Sequence, residues 1–419
     1  MAILKLDFDK AFYPEGLPRC NIVKFSPVLL IGGALLTYGL VGAALCLGLG
    51  LNQTGMNDYF AFGLWIVFDL AVIALGAGAF FTGFMTYFLG QKQLKDIINA
   101  AVIIGFICYA GAVGMLGVDI GQPIRGWFIF WHANVHSMLT EVSFCISTYL
   151  VVLIIEYLPT ILENRKAQKF RENRNLTHNF HEFMFIFAGV GTFLSFFHQG
   201  SLGGMFGVLF ARPFAFREGI LIWPWTFFLF IWSAIASGPA FTTLIVSLTE
   251  KLTGRKLVPY SVKMFYGKVC GWLLLTYMVA KSIDTLYWAL STLPRMGVRF
   301  SDLYAQGPYG SWLVWLELGL FGWLPALALV IPKVRQKQGW LLLFMLFDVI
   351  GIILNRFAFV IQTQAIPVLP FEKFIGYMFT WPEVGIAAGM LGFGLLVFGL
   401  SYRYLPVFPR EKELNPVQG

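Results

Sequence analysis

The stretch GLWIVFDLAVIALGAGAFFTGF, residues 63–84, decides the fold class of this chain. It is apolar from end to end except for Asp69 and Thr82. A membrane-spanning helix needs about 20 such residues, because it crosses about 30 Å of hydrocarbon while satisfying its own backbone hydrogen bonds. The stretch is therefore predicted to cross a bilayer with a carboxyl group inside it.

The rest of the chain repeats this pattern. Of 419 residues, 58% are hydrophobic and 12% are charged, about half the charged fraction that is typical of soluble domains. Ten segments are long and apolar enough to span, and the loops between them are short: 27–50, 62–89, 99–119, 136–158, 180–201, 220–247, 265–292, 310–332, 339–361 and 375–402. The sequence predicts an all-α polytopic membrane protein.

The net charge of +8 indicates topology, because Lys and Arg lie in short clusters between apolar runs; it does not indicate a nucleic-acid partner. Alternate connections hold 21 basic residues in one set and six in the other. By the positive-inside rule, the richer set is cytoplasmic. We predict a cytoplasmic arm at 1–26 without a cleavable signal peptide, a transmembrane domain at 27–402 and a cytoplasmic tail at 403–419.

Cysteine usage predicts that the chain holds no metal of its own. The five cysteines show no CxxC or Cys/His spacing suited to iron–sulfur or zinc ligation: Cys20, Cys46, Cys108, Cys145 and Cys270. Any cluster chemistry is therefore expected to come from a partner, with membrane lipid as the surrounding solvent.

Ionisable residues inside the predicted spans cost about 2.5–3.5 kcal/mol each on insertion scales, so each calls for a partner, a water-filled cavity or a function. Most are predicted to lie in or near the outer half of the membrane: Asp69, Asp119, His132, His136, Glu141, His198, Asp284, Glu317 and Arg356. Lys281 and Asp348 are predicted near the middle, and Glu156 and Glu182 near the cytoplasmic edge. This distribution indicates a polar cavity near the outer side that conducts protons or binds a polar headgroup. Structural ion pairs, for example Arg356 with Asp284 or with Asp348, are the alternative.

The fourth segment carries the most informative spacing. In WHANVHSMLTE, a helix would place His132 and His136 on one face with Glu141 further in. Histidine can hydrogen-bond a quinone carbonyl and transfer a proton near neutral pH. The competing interpretation is a b-type haem ligated by His136 and His198.

Three segments resemble the membrane-subunit family of NrfD and polysulfide reductase, particularly its hydrogenase-associated branch. They are GLWIVFDLAVIALGAGAFFTGF, WHANVHSMLTEVSFCISTYLVVLIIEYLPTILE at 131–163 and FHQGSLGGMF at 197–206. The resemblance covers most of the chain and is weaker after residue 250. The long arm and the lack of cofactor ligands are similar to the membrane subunits of the quinone reductase complexes of sulfate-reducing bacteria.

The resemblance implies two four-helix bundles, helices 2–5 and 6–9, flanked by helices 1 and 10. It implies a menaquinone pocket near the periplasmic face and a subunit without haem. The residues that match the family are Asp69, His136, Glu141 and His198. We predict catalytic roles for His136, Glu141 and Asp69, and quinone binding by His132, His136, Asp119, His198 and Arg217. The predicted proton pathway comprises Asp69, Glu141, Glu156, Asp284, Glu317, Asp348 and Arg356. Asp284, Glu317 and Arg356 are included because of their predicted depth in the membrane and not because they match a family motif.

For the whole assembly, the resemblance implies a bacterial inner-membrane complex that faces the periplasm. Its partners would be an iron–sulfur subunit, a multihaem cytochrome c and a molybdopterin-oxidoreductase-like subunit, which deliver electrons to menaquinone while protons arrive through buried acids. Three alternatives stay open: a quinol-oxidising subunit of a hydrogenase or polysulfide-reductase type of complex, an ion-coupled secondary transporter, and a purely structural anchor.

Overall fold

The computed structural model describes residues 22–164, 167–220, 223–366 and 374–415. Most of the predicted arm, the last four residues of the tail, and Arg165, Lys166 and Lys373 lie outside the described residues. Within the described ranges, ten helices are long and apolar enough to cross a membrane. The prediction of an all-α polytopic protein is confirmed.

The ten long helices follow the predicted order. Their bounds are α1 Ile22–Leu49, α2 Leu64–Tyr87, α3 Ile98–Asp119, α4 Met138–Leu162, α5 Arg171–Gly207, α6 Trp225–Thr253, α7 Tyr260–Arg295, α8 Trp312–Val330, α9 Gln338–Gln362 and α10 Trp381–Tyr404. A two-residue antiparallel pair, β1 Gly219–Ile220 and β2 Trp223–Pro224, precedes α6. Because the crossings alternate, the start of α1 and the end of α10 lie at the same end of the molecule, here called the termini end.

The helices pack as the two predicted bundles. Helices α2, α3, α4 and α5 form a closed ring of neighbours, and α6, α7, α8 and α9 form a second ring. The α1–α10 pair packs against α3 and α2. The bundles meet where α2 and α5 contact α6 and where α2 contacts α9.

Glycine allows the closest approach between the bundles. A Cβ atom added to Gly78 of α2 would lie 2.5 Å from Thr242 Oγ1 and 2.7 Å from the Gly238 carbonyl oxygen, both on α6. The glycines of HQGSLGGMF pack in the same way, since a Cβ on Gly200 would lie 2.5 Å from the Phe227 ring. Helix α5 continues unbroken to Gly207, so this motif serves helix packing.

Several helices begin at different residues from those predicted. Helix α10 begins at Trp381 instead of 375, because Thr380 and Glu383 form a capping box there. Helix α6 begins at Trp225, after the strand pair, instead of 220. Helix α5 begins at Arg171 instead of 180, since its first turns are polar and hydropathy detects only the apolar part of a helix.

The predicted helical ladder of His132 and His136 is wrong. Helix α4 begins at Met138, and the preceding residue Ser137 is extended. Before it, the side chain of Asn134 accepts a hydrogen bond from the backbone N–H of His136 at 3.0 Å and forms a turn. Asparagine competes with helical hydrogen bonding in this way, so the two histidines lie on a loop.

Candidate functional site

Two groups of buried polar side chains lie inside the bundles, one in each. The first lies toward the end opposite the termini, on α2, α3 and α5. The second crosses α6, α7, α8 and α9. Buried polar groups are costly unless they are hydrogen-bonded, so each unpartnered group in these sets calls for an explanation.

His198 is the central residue of the first group. Its side chain is completely buried on α5, and neither ring nitrogen makes a hydrogen bond of good geometry, although the backbone of Val142 lies near. The Tyr109 ring lies 5.7 Å away between centroids. Tyr109 shares a hydrogen bond of 2.8 Å with Ser195 and accepts one of 3.4 Å from Gln199 Nε2. A buried imidazole with free nitrogens is able to accept or donate a proton.

Three carboxyl groups lie at the same end of the first bundle. Asp69 is buried on α2 with Oδ1 unpartnered, and Asp119 at the end of α3 repels it electrostatically. Trp65 Nε1 donates a hydrogen bond of 2.5 Å to Asp119 Oδ1. Asp69 thus retains one oxygen for a further partner.

Glu383 is a third carboxyl group, which sequence reasoning missed. It is fully buried and accepts hydrogen bonds from the backbone N–H of Leu64 at 2.9 Å and of Gly55 at 3.1 Å. Tyr377 and Thr380 also donate to it. Burial, with the hydrogen bond to Glu383, raises the pKa of Tyr377, so this phenol stays a donor. Glu383 joins the starts of α2 and α10; its capping-box position was the available signal.

The predicted site residues near α4 are more exposed. His132 and His136 are exposed on the loop, and Glu141 lies half-buried in the first turn of α4. That turn contacts α5 near His198, since Met138 packs on Gly204. His136 and His198 therefore occupy different environments, which does not favour them as a pair of haem ligands.

At the termini end, the predicted entry residues differ in burial. Glu156 is half-buried on α4 and interacts electrostatically with Tyr87 and Tyr149. Glu182 is exposed on α5, with a carboxylate oxygen 3.3 Å from His178 Nε2.

Two largely buried ion pairs lie toward the far end of the second bundle, in addition to the pair of Lys263 and Glu250 at the termini end. Arg217 Nε donates to Asp284 Oδ2 at 2.9 Å, and the same guanidinium donates to the carbonyls of Phe214 and Phe216. Lys281 of α7 pairs with Glu317 of α8. Arg217, predicted to bind quinone, thus already uses several of its donors within the protein.

A hydrogen-bonded chain leads inward from the second pair. Asn355 Nδ2 donates to Glu317 Oε1 at 2.8 Å, and Arg356 Nη1 donates to Asn355 Oδ1 at 2.6 Å. Arg356 Nη2 donates to Ser233 Oγ at 3.1 Å. The suggested pairing of Arg356 with Asp284 or Asp348 is wrong, because the guanidinium binds the amide of Asn355 beside it on α9 and the hydroxyl of Ser233 on α6.

Asp348 ends the chain in the middle of α9. Ser237 Oγ donates to its Oδ1 at 3.1 Å and to the Ser233 carbonyl at 2.8 Å. Its Oδ2 atom is buried without a hydrogen-bond partner. Eight residues of helix, about 12 Å, separate Asp348 from Arg356.

Two cavities lie along this chain, with volumes of about 60 Å³ and 20 Å³. The larger is lined by both ion pairs and the smaller by Lys281, Glu317 and Asp348. These volumes are sufficient for a few water molecules, since one needs about 10–15 Å³ of such space. The second bundle thus contains two charged, water-sized cavities between Arg217 and Asp348, and Lys281 and Glu317 line both of them.

Three π-helical segments surround the larger cavity. They occupy Trp288–Thr292 of α7, Leu316–Trp323 of α8 and Ala358–Gln362 of α9, and each contributes to the cavity wall. Segments of this kind are rare and occur frequently at functional sites. Sequence reasoning missed them, together with the roles of Lys281, Asn355 and Ser233 in the chain.

Among the described residues, no group of three or more His, Cys, Asp or Glu side chains is placed to hold a metal ion. The four cysteines of this part of the chain are unpaired and buried in separate helices.

Ten spanning helices, two closed bundles and buried charges define an integral membrane protein with internal polar sites. Residues 52–368 match the family described as "Polysulphide reductase, NrfD". The chain belongs to this family, and the resemblance drawn from its three segments is confirmed.

The similarity to known relatives covers nearly the whole chain. It is 52% identical to "Menaquinone reductase, integral membrane subunit" of Nitratidesulfovibrio vulgaris, over 98% of each chain. It is 24% identical to a selenate reductase subunit of Mesobacillus selenatarsenatis, over 91% of this chain and 94% of the relative. It is 23% identical to "Probable Ni/Fe-hydrogenase 2 b-type cytochrome subunit" of Escherichia coli, over 94% and 93%.

Proposed function

We propose that this chain is the quinone-interacting membrane subunit of a menaquinone reductase complex. The observation that carries the proposal is the identity of 52% to a menaquinone reductase membrane subunit over 98% of both chains. The chain lies in the inner membrane with both termini in the cytoplasm, so that the opposite end faces the periplasm, as the distribution of basic residues favours.

Electrons reach the quinone from the periplasmic side. The electron-donating subunits are a multihaem cytochrome c and an iron–sulfur subunit. A molybdopterin-oxidoreductase-like subunit belongs to the same complex. The resemblance to the family supports these partners. The lack of cofactor-ligand spacing in the sequence agrees with delivery of electrons from outside the chain.

The menaquinone headgroup binds beside the start of α4. His136 and Glu141 are the accessible groups there, and His198 and Asp69 lie buried behind them. His132, Asp119 and Arg217 line the same periplasmic end. Reduction of a quinone takes up two protons, so groups able to donate them must lie within hydrogen-bonding reach of its oxygens.

Protons reach the quinone through buried acids. Asp69 of the first group is buried, with one oxygen free of hydrogen bonds. The remaining acids and the arginine of the predicted pathway extend this supply toward both bundles: Glu156, Asp284, Glu317, Asp348 and Arg356.

The test is quinone-linked turnover of the purified complex carrying His136→Ala or Glu141→Gln. Both side chains are at least partly exposed, so assembly is expected to be normal while turnover is lost. His178→Ala, an exposed histidine at the termini end, is the matched control and retains turnover. Normal turnover in both site variants would contradict this assignment of the site.

A further inference from the structure

Among the described residues of the second bundle, Asp348 is the one carboxyl group without a cationic partner. Lys281 pairs with Glu317, Arg217 with Asp284 and Lys263 with Glu250. Arg356 is bound to Asn355 and Ser233. Asp348, 2% exposed, has only the Ser237 hydroxyl on one oxygen and nothing on the other.

An ionised carboxylate in this position would be very costly, because burial of a charge is tolerated only when the charge is paired and fully hydrogen-bonded. The arrangement therefore favours a protonated Asp348 while Lys281 is held by Glu317. Among the described residues, the titratable groups that line the same cavity are Tyr277 and Lys281 on α7 and Glu317 on α8. Cys270 on α7 interacts with Asp348 electrostatically, and Arg356 lies about 12 Å along α9.

The position of Lys281 decides which of the two carboxyl groups, Glu317 or Asp348, is ionised. Its side chain, together with Glu317 and Asp348, lines the same cavity of about 20 Å³. Lysine carries its charge on a flexible four-carbon stem, unlike the planar, bidentate arginine. The π-helical segment Leu316–Trp323 carries Glu317, and such segments relax the local hydrogen-bonding register of a helix.

We propose that Lys281 is a movable cation shared by Glu317 and Asp348, and that its movement transfers a proton between these two carboxyl groups. When the ammonium leaves Glu317 for Asp348, the O–H bond of Asp348 breaks and an O–H bond forms on Glu317, by transfer through water for which the cavity has room. Lys281 keeps its own protons, so the total charge is unchanged. The ligand of this site is thus a proton, held about 12 Å deeper than Arg356.

This proton site extends the proposed function. It rests on that function in one respect only, namely that quinone reduction is the reaction that uses the proton. Its test needs no quinone, so its failure and the failure of the proposed function are distinguishable. The full-length chain in lipid vesicles is examined near neutral pH by infrared spectroscopy, in which protonated carboxyl groups give a separate C=O band. Other buried acids such as Asp69 contribute to the same region, so the Asp348 band is identified as the one that Asp348→Asn removes.

Two further variants identify the role of the cation. In Glu317→Gln, Lys281 has no other carboxylate partner and moves to Asp348, so the Asp348 band is expected to disappear although Asp348 is present. In Lys281→Met, both carboxyl groups become neutral, and an additional band from Glu317 is expected. Lys281→Arg keeps the charge without the mobility and retains the Asp348 band without adding one.

A fixed structural pair would give a different pattern. The Asp348 band would then survive Glu317→Gln, and that result would overturn the proposal, as would the absence of any band lost in Asp348→Asn. Glu182→Gln, an exposed carboxylate at the termini end, is the control and leaves the spectrum in this region unchanged. Variants that do not assemble are replaced by Asp348→Glu, for which a shifted band is expected and an unshifted one contradicts the assignment.

Discussion

His198 combines complete burial with two ring nitrogens that lack hydrogen bonds. Such a group lowers stability, because its desolvation is not compensated. Residues that lower stability are typical of functional sites, because activity there requires groups that the fold alone would not favour.

We therefore predict opposite effects of His198→Leu on stability and activity. The melting temperature of the purified complex is expected to stay the same or rise, while quinone-linked turnover falls at least tenfold. Tyr149→Phe is the control, since it also removes a buried unpartnered polar atom and is expected to keep full turnover. Full turnover in His198→Leu would contradict a role for this imidazole.

Glu383 is the opposite case, because its buried carboxylate accepts several hydrogen bonds that stabilise the fold. Its oxygens accept hydrogen bonds from the backbone at Gly55, Leu64 and Thr380. Hydrogen bonds to charged groups contribute about 1.5–3 kcal/mol each. Glu383→Gln is expected to lower the melting temperature clearly, whereas Glu413→Gln, an exposed partner of Arg410, is not. Equal melting temperatures for the two variants would contradict this structural role.

At the scale of helices, the junction of the two bundles depends on Gly78 and Gly238. A side chain on Gly78 would collide with the backbone of α6, which cannot move without separating the bundles. Gly78→Val is expected to abolish accumulation of folded protein, measured by size-exclusion chromatography of detergent extracts. Gly114→Val on α3 is the control, because nothing lies within 4 Å of its added Cβ. A normal elution profile for Gly78→Val would show that the contact is not essential.

Hydropathy predicted all ten helices, because spanning length is a property of a single segment. Helix starts depend on local hydrogen bonding, which hydropathy does not detect. The capping box therefore places the start of α10 six residues after the predicted one, and the turn at Asn134 precedes a start of α4 two residues after the predicted one. The pairings in the second bundle were not predictable, since the sequence does not specify which faces of α6, α7, α8 and α9 meet. The π-helical segments leave no hydropathy signal, and they line the larger cavity.

On the scale of the whole molecule, the account depends on orientation. A folded reporter that fluoresces only in the cytoplasm, fused after Gly419, is expected to be fluorescent. A reporter active only in the periplasm, inserted into the loop at 132–136, is expected to be active. The reverse pattern would place His136 and His198 at the cytoplasmic side and contradict the proposed site.

The central claim is that this chain is the quinone-interacting subunit of a menaquinone reductase complex. The most direct measurement is gentle purification from native membranes, followed by identification of partners, extraction of quinone and an ultraviolet–visible spectrum. The account predicts co-purification of menaquinone with iron–sulfur and multihaem subunits, and no haem in the isolated chain. A lone, colourless and quinone-free protein would contradict it and favour an ion-coupled transporter.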